Sequence, residues 1–253
     1  MLCEGKVVLI TGAAQGLGKS IAESLLTQGA KVCVCDINVD VGGATAARLQ
    51  EQHGQDRVFF MKCDVLVEAD LEGVFDAVRE KYGGLDIVVN NAGIADEKNW
   101  TKMIDINLKS VVRGTLLAVD AMSAGGRGGL VVNMASMSGL MATYHLPVYG
   151  ASKQAVISFT QSCADNPHYK RANLSFACVC PAFSDTAILP QSDLDPRFPY
   201  PKKEAQAQFD MFGIMNPSKV GEAFLELLRE ESPNGAIVTV SEKFGTKVKK
   251  WRR

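Results

Sequence analysis

Short runs of apolar, β-branched residues recur along the chain without polar alternation, as in Val7-Val8-Leu9-Ile10 and Ile87-Val88-Val89. A strand with one wet face alternates apolar and polar side chains, so runs that are apolar throughout belong to strands covered on both sides. Such runs fall at 6–11, 31–36, 58–63, 85–90, 129–136, 174–180 and 236–240. Segments with helical spacing separate them, for example Ile21, Leu25 and Leu26, or Leu71, Val74, Phe75 and Val78. Alternation of this kind feeds crossovers into a parallel sheet. The expected architecture is α/β and doubly wound: one domain over 1–253, with a seven-stranded, mostly parallel sheet and helices on both faces.

A length of 253 residues with 47% hydrophobic composition suits a single core. The formal net charge of −1 provides no global field for nucleic acid or an anionic membrane. The first residues lack a signal-peptide pattern, and no apolar run reaches the length of a membrane span, so neither secretion nor insertion is expected. The seven cysteines lie mostly in strand-like runs without C-x-x-C spacing, which fits a reducing cytoplasm. Cys33 with Cys35 and Cys178 with Cys180 share strand faces, but burial explains free cysteines better than a metal does. Pro190, Pro196, Pro199 and Pro201 interrupt 183–215, which reads as a substrate lid. Residues 243–253 carry Lys243, Lys247, Lys249, Lys250, Arg252 and Arg253 and read as a solvated basic tail.

The first strand-like run leads into Thr11-Gly12-Ala13-Ala14-Gln15-Gly16-Leu17-Gly18 and then a helix. Glycines let the backbone approach a pyrophosphate, and the helix start offers free N–H groups. Asp36 ends the second run, where a carboxylate accepts ribose hydroxyls and repels a 2′-phosphate; Ile37 and Asn38 bring no positive charge, so NAD is expected over NADP. Asp64-Val65 and Asn90-Asn91-Ala92-Gly93 close the third and fourth runs on the same side.

Tyr149 and Lys153 have the Y-x-x-x-K spacing that places them on one helix face. A fixed cation stabilises phenolate and lowers the tyrosine pKa, so the pair can move a proton. Ser136 closes the fifth run and can hydrogen-bond a reacting oxygen, with Ser138 the alternative; Asn107 can hold a water in a proton relay.

T-G-x-x-x-G-x-G, N-N-A-G, Asn107, Ser136 and Y-x-x-x-K, in this order, resemble the short-chain dehydrogenase/reductase family over essentially the whole chain. The resemblance implies a Rossmann-type domain and hydride transfer between NAD and a carbinol carbon. Tyr149 would exchange the hydroxyl proton, Lys153 would hold the nicotinamide ribose, Ser136 would steady the substrate oxygen, and Asn107 would complete the relay. Segments 13–16, 97–100, 147–149, 186–189 and 234–237 are similar to the branch that acts with NAD on 15-hydroxyprostaglandins, which implies a lipid alcohol substrate and a homodimer.

The implied cofactor set is Gly12, Gln15, Gly16, Leu17, Gly18, Asp36, Ile37, Asp64, Val65 and Asn91, joined by Tyr149, Lys153, Phe183, Ser184 and Thr186. The substrate set is Ser136, Leu146, Tyr149, Phe183, Met211 and Phe212, with Ile188, Leu189, Phe198, Tyr200 and Phe209 as further apolar walls. No metal is expected. Three departures stand out. Pro181-Ala182 replaces Pro-Gly, Leu146 takes the place of a glutamine with His145 beside it, and Asp165-Asn166-Pro167-His168 breaks a helix that relatives use for dimerisation. Competing readings are an NAD-dependent hydroxysteroid or small apolar alcohol dehydrogenase, and an NAD-binding scaffold with little turnover.

Overall fold

The computed structural model describes residues 1–123 and 126–250. Its sheet has strand order β3-β2-β1-β4-β5-β6-β7-β8. The strands are β1 (Val7–Thr11), β2 (Lys31–Asp36), β3 (Val58–Lys62), β4 (Ile87–Asn90), β5 (Gly129–Met134), β6 (Leu174–Pro181), β7 (Ala236–Ser241) and β8 (Gly245–Lys250). Pairing is parallel from β3 through β7, and β8 runs antiparallel to β7. The sheet therefore has eight strands, not seven. The extra strand comes from the expected solvated tail: Lys247, Lys249 and Lys250 stay exposed, while Val248 packs on the core. Arg252 and Arg253 of that expected tail lie outside the described residues.

Both faces are covered, as the unbroken apolar runs require. Val8 and Ile10 of β1 pack with α1 (Gly16–Thr27), α2 (Val39–His53) and α9 (Ser218–Arg229), whereas Val7 and Leu9 join the opposite core with α3 (Glu68–Tyr82), α5 (Ser110–Ser123) and α6 (Pro147–Asp165). All seven cysteines are free and buried. Among the described residues, no helix is long and apolar enough to cross a membrane.

Asp165-Asn166-Pro167-His168 does not interrupt α6. It ends that helix after 19 residues, and Asn166 then caps the short α7 (Pro167–Arg171) by accepting the His168 N–H at 2.9 Å. Segment 183–215 leaves and re-enters the domain at one place, since Met215 N–H donates to Phe183 O (2.9 Å) and Asp185 N–H to Met215 O (3.0 Å). Within it, a 3₁₀ turn (Lys202–Ala205) leads into α8 (Gln206–Phe212). Arg197 grips the buried Asp195 carboxylate through two nitrogens and also donates to Ala187 O and Leu189 O. The guanidinium holds the Asp195 carboxyl well below the usual range, so this internal staple stays charged at neutral pH.

Candidate active site

The chain proceeds from β1 outward to β2 and β3, then returns to β4 on the other side of β1. That reversal opens a crevice outside the carboxyl ends of the strands, where the glycine-rich turn and Asn90-Asn91-Ala92-Gly93 meet. Thr11 Oγ1 accepts the N–H groups of Asn91 and Ala92 at 3.0 and 3.1 Å, and Asn91 Nδ2 donates to Thr11 O and Gly12 O. Gly12 has φ +65°, and a Cβ there would lie 2.8 Å from Ala92 Cα, so the two segments interlock only with glycine at this point. Asn91 thus holds the turn rather than projecting its amide into the crevice.

These residues fit a dinucleotide. The N-cap Gln15 is extended and makes no side-chain cap, and the first turn of α1 carries no acidic residue, so the first N–H groups are available to an anion. Asp36 Oδ2 accepts the Ala14 N–H and Oδ1 that of Asn38, both at 3.0 Å, which leaves lone pairs on each oxygen for ribose hydroxyls. Ile37 is exposed beside it. Asp64 Oδ1 closes its own turn on Leu66 N–H, and Val65 packs into the core edge. Leu17, Ser184 and Thr186 border the neighbouring cavity, where the buried Ser184 Oγ has no protein partner.

Tyr149 and Lys153 project from one face of α6, both buried. Ser136 caps a 3₁₀ turn (Met137–Gly139) after β5, accepting the Ser138 N–H at 3.1 Å. That turn lies directly on α6, because a Cβ at Gly139 would be 2.7 Å from the Lys153 carbonyl carbon. Ser136 and Tyr149 line one cavity as a result, and the Ser136 hydroxyl lowers the phenol pKa. Lys153 Nζ donates to Met134 O at 2.9 Å and lies 5.7 Å from the Tyr149 ring centroid. Asn107 lies in a π-helical turn (Asp105–Lys109) between α4 (Trp100–Ile104) and α5. Its carboxamide accepts from Ile94 N, donates to Ile94 O and reaches Ser152 Oγ, so it braces the loop after β4 beside Lys153.

The electrostatics differ from the sequence expectation. Burial pushes the Tyr149 phenol up to about 12, against the Ser136 hydroxyl, which lowers it, and burial brings the Lys153 ammonium down to about 8. The lysine charge lies over the ring and is bonded to a carbonyl, so in this form desolvation outweighs its pull on the phenol.

Tyr149, Ser136, Ser138, His145 and Leu146 share an apolar cavity with Phe183, Ile188, Leu189, Phe198, Tyr200, Phe209 and Phe212. Phe183 meets Phe209 edge-on, with centroids 4.6 Å apart. Met211 does not belong to this wall. It is 53% exposed, because Phe209 and Phe212 occupy the inward positions of α8 and helical phase turns Met211 away. Ala182 has no left-handed backbone, since Asn173 is the only non-glycine residue with positive φ among those described. A methyl in place of the family glycine therefore introduces no backbone strain.

Residues 6–196 match the family model described as short chain dehydrogenase. The chain belongs to the short-chain dehydrogenase family. It is 39% identical over 251 residues to the NAD(+) 15-hydroxyprostaglandin dehydrogenase of Mus musculus, covering 97% of this chain and 93% of the relative. It is also 36% identical over 195 residues to 3beta-hydroxysteroid dehydrogenase 2 of Eggerthella lenta, covering 73% of each. Among solved structures, levodione reductase superposes with a TM-score of 0.83 at 28% identity, covering 94% of this chain and 96% of the other.

In this short-chain dehydrogenase two arrangements escape motif reading. Glu97, 9% exposed, accepts the N–H of Tyr149 at 2.8 Å through Oε1 and that of Val148 at 3.2 Å through Oε2. It caps α6 from a distant loop, because Leu146 at the N-cap has no capping side chain. Beneath the site, Asn133 links Asn90 (2.8 Å), Thr115 (3.3 Å) and Thr160 (2.8 Å), tying β4 and β5 to α5 and α6. Glu97→Gln places an amide N–H against a backbone N–H, and kcat is expected to fall about tenfold while KM for NAD stays unchanged. Steady-state kinetics check this, and an unchanged kcat would show that the cap does not position the phenol.

Proposed function

We propose that the chain oxidises a secondary alcohol on an apolar, lipid-like substrate with NAD, and that its substrates are 15-hydroxyprostaglandins or related hydroxy fatty acids. The observation that carries this reading is the aromatic and aliphatic cavity opening on Tyr149 and Ser136. The glycine-rich turn, α1, Asp36 and Ser184 would hold the cofactor, which supplies the hydride-accepting nicotinamide carbon. Ser136 orients the carbinol oxygen, and Tyr149 exchanges its proton with Lys153 as partner. The ordinary backbone at Ala182 and the uninterrupted α6 both weigh against a scaffold without turnover.

A hydroxysteroid is the second reading, favoured by Leu146, which offers the cavity an alkyl group where a glutamine would offer an amide. Initial rates with NAD and NADP on 15-hydroxyprostaglandins, hydroxy fatty acids and hydroxysteroids separate the two. We expect the first group to lead with NAD, and equal or absent activity on it would overturn the assignment. We place the protein in the cytoplasm, in keeping with its buried free thiols, and pair two copies through α5 and α6, where Leu116 is exposed.

Proton balance gives a pH prediction. Of Tyr149 and Lys153, the first to lose its proton is Lys153, near pH 8. Oxidation delivers a proton to the pair, so its kcat/KM rises with pH up to about 8 and then levels. Ketone reduction needs the proton present and falls above about 8. Initial rates across the neutral and alkaline range test both limbs, and a flat oxidation profile would detach the chemistry from this pair.

A further inference from the structure

The turn leading into α6 buries an imidazole that the chain itself does not address. His145 is 7% exposed and faces the cavity shared by Tyr149 and Ser136, and neither Nδ1 nor Nε2 has a hydrogen-bond partner. Buried polar groups are nearly always paired, so an orphan imidazole in the lining of a binding cavity marks a place where the ligand completes the set. The ring is held in place: Tyr144 lies edge-on to it at 5.2 Å and anchors its own hydroxyl on Glu204 O at 2.7 Å. Burial lowers the His145 pKa against the pull of Glu204, so the ring is neutral at neutral pH and offers one donor and one acceptor.

The reacting carbinol already has Tyr149 and Ser136 as partners. We propose that His145 binds a second oxygen of the substrate, a hydroxyl or carbonyl elsewhere on the lipid chain, and so selects oxygenated lipids over simple alkanols. This rests on reading the cavity as an alcohol site. A neutral imidazole satisfies such an oxygen in either sense, donating to a carbonyl or exchanging both roles with a hydroxyl. The flanking Leu146 contributes only alkyl surface, and among the cavity-lining side chains His145 and Ser184 are the ones whose buried polar atoms lack a partner.

The test is calorimetric titration of the NAD-loaded protein with a secondary decanol and with a panel of decanediols that keep the same carbinol and carry the second hydroxyl at successive carbons. Wild type is expected to bind at least one diol about tenfold more tightly than the alkanol, the worth of one hydrogen bond to a buried group. His145→Phe abolishes that preference and leaves the alkanol and NAD affinities unchanged, and His145→Gln, which retains a donor and an acceptor, restores part of it. Three outcomes each overturn the proposal: no diol preference in wild type, a preference that survives in His145→Phe, or an equal loss of alkanol and diol binding. NADH formation from the alkanol in the same samples reports on the dehydrogenase reading separately. Its absence would remove that reading while the binding comparison still decides the role of His145.

Discussion

Tyr149→Phe is expected to lower alcohol turnover by about 10²–10⁴-fold, the range associated with loss of a positioned acid/base group, and to leave NAD affinity within about twofold. The change removes one oxygen and keeps the ring, which packs with Ala95, Met103 and Phe198 and lies below the Lys153 ammonium. The cofactor cradle at α1, Asp36 and Asn91 is built from other segments and needs no phenol for its own geometry. Ser136 keeps its bonds to the Ser138 N–H and Pro181 O, so the orienting hydroxyl stays in place. NADH absorbance at saturating substrate measures the first effect, and the melting-temperature rise produced by NAD measures the second. A variant that retains a tenth of wild-type turnover would assign proton transfer to another group.

Asp36→Ala is expected to reduce the preference for NAD over NADP by about 10²-fold, through loss of charge-assisted bonds to ribose and of repulsion toward a 2′-phosphate. A second consequence follows from its contacts. Asp36 ties the glycine-rich turn to the end of β2 by accepting the Ala14 N–H, so KM should rise for both cofactors, more for NAD. The ratio of kcat/KM values for the two cofactors is the measurement. An unchanged ratio would show that discrimination comes from groups other than this carboxylate.

Periodicity in the sequence marks β1 to β7 because each carries a mostly apolar run, which in inner strands such as β1 and β4 is buried at every position. β8 leaves no such mark, as Val248 stands alone among lysines. Tyr149, Lys153 and Ser136 were legible for a different reason: a helix repeat and a strand end fix their relation locally. Glu97 acts on α6 across 52 residues of sequence, and no local spacing encodes that contact. A trace of it existed in Leu146-Pro147, a helix start without a capping side chain, whose N–H groups require a partner from elsewhere. Sequence alone does not separate Met211 from Phe209 and Phe212, because the boundaries of α8, and hence its phase, cannot be read through a proline-rich segment. The phenol pKa departs from the expectation for a physical reason: spacing reveals the nearby cation but not the depth at which both groups are buried.

β8 also determines how the molecule meets its neighbours in a concentrated solution. Without it, Ala236–Ser241 would present an open ladder of β-branched residues, the kind of border onto which another chain adds a strand. With it, the outermost ribbon carries Lys247, Lys249 and Lys250, whose like charges repel a second copy approaching edge to edge. The same lysines that made the segment look like a tail thus act as a guard against fibrous self-association, a task unrelated to catalysis and placed at the far side of the sheet from β3.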